Sequence, residues 1–199
     1  MGGVIKKMTK WDKFFNNKIS EIAKEKEVLD IGGGFRFQKD LLKYQQLFTN
    51  SNYRTLDIEE KYYPDIVGDI TDMPLKDESI DAIICKAVLE HVAEPQMAVK
   101  EIYRVLKKRG KCFVYVPFLY PYHAHQGVYK DYYRYTEDGI RYLFRDFKSI
   151  EICPVRGNLE TVFNLTYLRK IRILMPLIRF LDRFFSGKQV SGYNIFIIK

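Results

Sequence analysis

Val28-Leu29-Asp30-Ile31-Gly32-Gly33-Gly34 is the stretch that decides how this chain folds. A short apolar run ends in three glycines, and Phe37, Leu41 and Leu42 follow at helical spacing, so the segment predicts strand, glycine turn and helix. In an open sheet, ligands bind beyond the carboxyl ends of the strands, and a turn without side chains lets backbone N–H groups approach them closely. A glycine-rich helix stop has the same composition, so the turn alone does not identify a site. About 20 positions on, Asp57 ends the next apolar run, where a carboxylate can bridge the two hydroxyls of a ribose.

Outward from this unit the pattern repeats. Short apolar runs at 53–58, 65–69, 79–84, 111–116, 148–153 and 193–198 read as six further strands. Thr9 can cap a helix carrying Trp11, Phe15, Ile19 and Ile22 on one face. Pro95 opens a helix through Val99, Ile102, Val105 and Leu106 that Gly110 is expected to stop, and Thr136 caps one using Ile140, Leu143, Phe144 and Phe147. Strands alternating with helices predict one α/β domain with a doubly wound parallel sheet covered on both faces.

Composition narrows the class further. At 199 residues, 47% hydrophobic and 29% charged, the chain can bury a core unaided, which excludes a disordered or fibrous protein. Arg172, Arg179 and Arg183 break the most apolar stretch, so no run reaches the roughly 20 residues of a spanning helix. Met1 to Lys10 is basic but lacks the apolar region of a signal peptide, and Cys85, Cys112 and Cys153 form no paired spacing; both features point to a reducing cytoplasm. A formal charge of +8 favours anionic partners without choosing among them.

The stretch from Val28 to Pro117 resembles the class I S-adenosylmethionine-dependent methyltransferases, in particular the branch similar to the ubiquinone and menaquinone biosynthesis enzymes. The resemblance is carried by Val28 to Gly34, Gly68-Asp69-Ile70, Met73-Pro74-Leu75, Ser79-Ile80-Asp81-Ala82-Ile83, Leu89-Glu90-His91-Val92 and Glu101 to Lys107 with Gly110, in that order. It implies a Rossmann-like, three-layer α/β/α fold with a seven-stranded sheet, mostly parallel with an antiparallel last strand. It also implies one domain over 1–199: an N-terminal helix at 9–26, a cofactor-binding core at 28–117, an acceptor lid and helix at 118–147, and two last strands at 148–199 with a helical insertion at 157–190.

The cofactor implied is S-adenosyl-L-methionine. By the same resemblance Asp30 and Gly32, Gly33 and Gly34 hold its methionine moiety, Asp57 with Ile58 its ribose side, Asp69 its adenine amino group and Ile70 its ring. The backbone carbonyls of Lys86 and Ala87 reach the methionine end. Arg36 stands where the family commonly has a small residue, and is expected to point to solvent or to grip the cofactor carboxylate. An NAD-dependent oxidoreductase is disfavoured by the lack of a third spaced glycine and by the Glu101 to Gly110 block.

The acceptor side is less specific. Cys85-Lys86-Ala87-Val88 lacks the Asn/Asp-Pro-Pro-aromatic motif of the amino methylases, and Lys86 has the wrong charge for a cation ligand. His91, following the fourth strand, is a candidate near the reactive end, with helix capping or core packing as its alternative. The segment from Pro121 to Thr136 resembles a lid found in a subset of these enzymes, with His123, Asp131 and Arg134 as candidate acceptor-side groups; a tyrosine-rich packing loop with Asp131 paired to Arg134 reads as well. No metal is expected at His91, His123 and His125, which have no cysteine nearby.

The expected activity is methyl transfer to a small-molecule, glycan or lipid-linked acceptor. A non-catalytic cofactor-binding module and an RNA methyltransferase are the alternatives, nucleic acid being the less favoured partner. Within 167–185, Arg169, Arg172, Arg179 and Arg183 form one helical stripe opposite Leu168, Ile171, Met175, Ile178, Leu181 and Phe185. That stripe predicts peripheral contact with an anionic membrane, at its inner surface, or cover for the sheet or a second subunit, with Pro176 kinking the helix.

Overall fold

A computed structural model describes residues 8–166, 170–184 and 187–199. Its strands are β1 (Glu27–Ile31), β2 (Asn52–Asp57), β3 (Ile66–Val67), β4 (Ile80–Lys86), β5 (Leu106–Pro117), β6 (Ser149–Val155) and β7 (Gly192–Ile198). They make one sheet in the order β3-β2-β1-β4-β5-β7-β6. The pairs from β3 to β5 are parallel, and β7 lies antiparallel between β5 and β6. Successive strands leave β1 toward β2 on one side and return to β4 on the other, so the order reverses between β1 and β4.

Alternation along the strands builds two cores. Val28, Ala82, Ile84, Phe113 and Phe196 face one side, where α1 (Lys10–Ile22) lays down Phe15, Ile19 and Ile22. Leu29, Ile31, Ile83, Cys85, Val114 and Ile195 face the other, against Ala98, Val99 and Ile102 of α2 (Pro95–Val105) and Ile140 of α3 (Glu137–Leu143). A period of two with both faces covered is the arrangement that near-continuous apolar strands require. The Thr9 hydroxyl accepts from the Asp12 N–H and the Asp12 carboxylate from the Thr9 N–H, closing the capping box of α1. The Thr136 hydroxyl accepts from Gly139 N–H at the start of α3.

Three expectations are corrected. After the glycine turn the chain forms a 3₁₀ helix, Lys39–Phe48, which buries Leu41, Tyr44 and Phe48 beside Phe37 and leaves Leu42 exposed. Gly110 does not stop α2: Leu106 passes directly from helix to strand, and Gly110 lies within β5 where the register with β4 shifts. A Cβ there would stand 2.7 Å from the Lys107 carbonyl oxygen, so the backbone crowding of a bulge explains the glycine.

The third concerns the arginine-rich segment, which is not one helix. Arg172–Leu174 is a 3₁₀ turn and α5 (Met175–Leu181) starts afresh with Pro176 in its first turn, where proline lacks nothing the helix needs. Arg179 turns inward to the buried Glu160 of α4 (Asn158–Leu165) at 2.7 Å, leaving the stripe. Tyr167, Leu168, Arg169 and Phe185 lie outside the described residues. Among the described residues no helix is long and apolar enough to cross a membrane.

Candidate functional site

The sheet's order reverses at the carboxyl ends of β1 and β4, and the Gly32 to Gly34 turn and Lys86 to Val88 flank that crevice. Gly32 and Gly34 have φ of +64° and +68°, a left-handed backbone that glycine adopts without strain. A Cβ on Gly32 would meet the Val88 side chain at 2.5 Å, so the two loops touch through the missing side chain. A Cβ on Gly33 would stand 2.7 Å from Oδ2 of Asp30.

Asp30 is buried, and its Oδ2 accepts from the Tyr53 hydroxyl at 2.6 Å. Burial pushes its carboxyl up to about 7, the Tyr53 bond and Lys86 opposing the shift. Asp57 ends β2; one oxygen accepts from Gly34 N–H at 3.1 Å and the other from Glu59 N–H at 3.0 Å. The glycine turn and the carboxylate expected to serve one ligand are therefore tied to each other. Ile58, next along, is 61% exposed and presents an apolar surface beside that carboxylate.

Other expected cofactor contacts are more dispersed. Asp69 is exposed and caps its own turn, accepting from Thr71 N–H and hydroxyl at 2.8 Å, whereas Ile70 is packed into the core. The Lys86 ammonium pairs with Asp40 at 2.5 Å, and Ala87 leaves β4 with φ of +57°. Arg36 is exposed at the surface, where it pairs with Asp65 at 2.6 Å and sits over the Tyr53 ring.

On the acceptor side the described residues converge more tightly than sequence reasoning anticipated. Leu89–His91 forms a single 3₁₀ turn after β4, and the lid segment folds back on it: Tyr132 N–H donates to the Glu90 carbonyl, Tyr135 hydroxyl to Leu89 and Tyr133 hydroxyl to Ala93. Asp131, its side chain fully buried, takes both arms of Arg134 at 2.5 and 2.7 Å and the His123 N–H at 2.8 Å. Those bonds hold its carboxyl well below the usual range. Arg134 also donates to the carbonyls of Tyr120, Pro121 and Tyr133, so Asp131 and Arg134 pin the lid together.

His91 and His123 meet edge to face, ring centroids 4.9 Å apart, and both turn Nε2 toward Oε1 of Glu90, at 3.9 and 3.8 Å. Glu90 was quoted only within the Leu89 to Val92 motif and not as a candidate site residue; an acid between Leu89 and Val92 on a segment that must pack was the available signal. It is 1% exposed and burial pushes its carboxyl up to about 7, while desolvation lowers the His91 imidazole. Beside the lid a cavity of about 120 Å³ opens between Tyr120 and Pro121 on one side and Arg156, Thr161 and Asn164 on the other. The Thr161 hydroxyl is buried without a partner.

Residues 29–114 match the family profile described as a methyltransferase domain. The chain is 32% identical over 114 residues to the demethylmenaquinone methyltransferase of Thermotoga maritima, covering 53% of this chain and 49% of that one. The chain spans from about a quarter to about half the length of the curated relatives it matches. Among solved structures it is similar to a SAM-dependent methyltransferase from Archaeoglobus fulgidus (TM-score 0.63, 17% identity, 94% and 92% of the two chains). It is also similar to phosphoethanolamine N-methyltransferase 2 of Haemonchus contortus in complex with phosphomonomethylethanolamine and S-adenosylhomocysteine (TM-score 0.55, 14% identity, 92% and 52%).

Proposed function

We propose that this chain, whose residues 29–114 match the profile described as a methyltransferase domain, is a class I S-adenosylmethionine-dependent methyltransferase that transfers a methyl group to a small-molecule, glycan or lipid-linked acceptor. The observation that carries the reading is the tie between the glycine turn and Asp57 at the point where the sheet reverses. The residues there fit the cofactor: the cradle at Gly33 is one that any Cβ would fill, and each Asp57 oxygen, engaged by one N–H, keeps a lone pair for a ribose hydroxyl. Bound S-adenosylmethionine supplies an electrophilic methyl group on a sulfonium. The chain's task is then to align the acceptor and keep water out.

The cavity beside the lid supports an acceptor with a hydroxyl or a negative charge, since Arg156, Asn164 and the unpartnered Thr161 hydroxyl line it. Asp131 and Arg134 act in this reading by fixing the lid, and His91, with His123 from the lid itself, turns toward Glu90. Calorimetry tests the cofactor assignment: S-adenosylhomocysteine binds, NADH does not, and Asp57→Ala weakens binding by about 1.5–3 kcal/mol as the hydroxyls lose a charged acceptor. Unchanged affinity in that variant, or tighter binding of NADH, overturns the reading. A non-catalytic module would bind the cofactor without consuming it when offered candidate acceptors, and an RNA substrate would show steeply salt-dependent binding.

A second reading concerns where the acceptor resides. Ile173, Leu177, Phe180 and Phe184 are 85%, 55%, 52% and 71% exposed, an apolar surface on a chain of formal charge +8. These features support peripheral contact with an anionic lipid surface. The expected outcome is salt-sensitive co-sedimentation with anionic vesicles that Phe180→Ser with Phe184→Ser abolishes; equal recovery with neutral vesicles removes the reading.

A further inference from the structure

We propose that Glu90, His91 and His123 form a binding site for one divalent transition-metal ion. One ring nitrogen of each histidine and a carboxylate oxygen of Glu90 lie within 4.8 Å of one another, and Nε2 is the nitrogen of each ring that faces Oε1, at 3.9 and 3.8 Å. The orientation of both rings is fixed from behind. Nδ1 of His91 lies 2.6 Å from the Lys130 carbonyl oxygen, and Nδ1 of His123 lies 3.1 Å from that of Pro121 and 3.2 Å from Oδ2 of Asp131. The oxygens are acceptors and the nearest partners of each Nδ1, so they place the proton there and leave each Nε2 a lone pair, the tautomer and outer-sphere bonding of metal-ligating histidines. Arg134 Nη2, a donor, stands farther from Nδ1 of His123, at 3.4 Å.

Three acceptors thus converge with no donor between them. The Glu90 Oε1 separations of 3.8 and 3.9 Å are too long for a proton to bridge directly. An ion about 2.1 Å from each atom holds two ligands roughly 3.4 Å apart in a tetrahedron, so the two Glu90–imidazole separations of 3.9 and 3.8 Å close by about half an ångström and the rings, within 4.8 Å, draw together to seat it. The second oxygen of Glu90 supplies an independent sign: Oε2 is buried with no hydrogen-bond partner in a side chain only 1% exposed. Such an orphan costs free energy unless something cationic meets it. Two nitrogens and one carboxylate favour zinc, cobalt or manganese over calcium, whose sites are built of oxygens.

Three protein ligands leave a fourth position, which would take an oxygen of the methyl acceptor. Only that last step rests on the methyltransferase reading; the ion site stands on its own geometry.

The test uses the full chain stripped with a chelator, then titrated with zinc chloride in a calorimeter and with cobalt chloride in a spectrophotometer. The expected result is one equivalent of metal, a visible cobalt spectrum distinct from the aqua ion, and at least a tenfold loss of zinc affinity in His123→Ala and in Glu90→Gln. Melting temperature and S-adenosylhomocysteine affinity report whether each variant is folded, and His91→Gln replaces any that is not. A cobalt spectrum identical to the aqua ion, or variants that bind zinc as tightly as the wild type, overturns the site. Such a failure with S-adenosylhomocysteine still bound sinks the metal site alone, and loss of nucleoside binding with zinc still bound sinks only the methyltransferase assignment.

Discussion

Asp30 keeps an ionisable group inside the protein at the end of β1, with a tyrosine hydroxyl as its visible hydrogen-bond donor. Its pKa rises from 3.8 to about 7 because burial penalises the charge more than Tyr53 and Lys86 relieve it. An acid with a raised folded pKa binds its proton more tightly folded than unfolded. The stability it contributes is therefore fully present below the unfolded value and is lost as pH rises through about 7. Asp30→Asn keeps an oxygen for Tyr53 and removes the titration. In the cofactor-free protein its unfolding free energy should exceed that of the wild type by a margin that grows from about pH 5 to about pH 8, reaching roughly 2–4 kcal/mol. Urea unfolding at several pH values measures this, and parallel curves for the two proteins would mean that another group governs the pH dependence.

Between elements, the closest coupling at the crevice is that of the two loops that flank it. Gly32→Ala brings a Cβ into the Val88 side chain and into a left-handed backbone, for which about 2 kcal/mol of destabilisation is expected. Val88→Ala removes the collision but not the backbone strain, so the double variant should be less destabilised than the sum of the singles by about 0.5–1 kcal/mol. A double-mutant cycle by chemical denaturation decides it; strict additivity would mean that the loops do not touch. At this scale the strands were legible because apolar alternation along β1, β4 and β5 records burial on both faces. The glycine turn and Asp57 were legible because a bare backbone and a strand-end carboxylate are local features. What was not legible was long-range. Gly110 has the composition of a helix stop until the Lys107 carbonyl is seen against it, Arg179 belonged to a surface stripe until Glu160 claimed it, and Glu90 gains meaning only from His123, 33 positions away.

Over the whole molecule one sheet is shared by both cores, so a ligand held at the β1 and β4 ends should stabilise the chain as a unit. S-adenosylhomocysteine at about 100 times its Kd contributes about 2.7 kcal/mol, which for a chain of this size raises Tm by roughly 5–10 °C. Differential scanning calorimetry with NADH as control checks it, and equal shifts with both ligands would contradict a selective nucleoside site. The position of β7 has a different consequence, for the order of synthesis. β6 is made before β7, yet every ladder bond it makes in the sheet is to β7, and β7 also covers the edge of β5. A nascent chain that has reached β6 therefore carries the open edge of β5 and a β6 with no strand partner, and each is a template for a neighbouring chain. The interval until β7 emerges is when this protein most needs a chaperone, and a ribosome stalled in that interval would release a chain prone to aggregate instead of one merely lacking a strand.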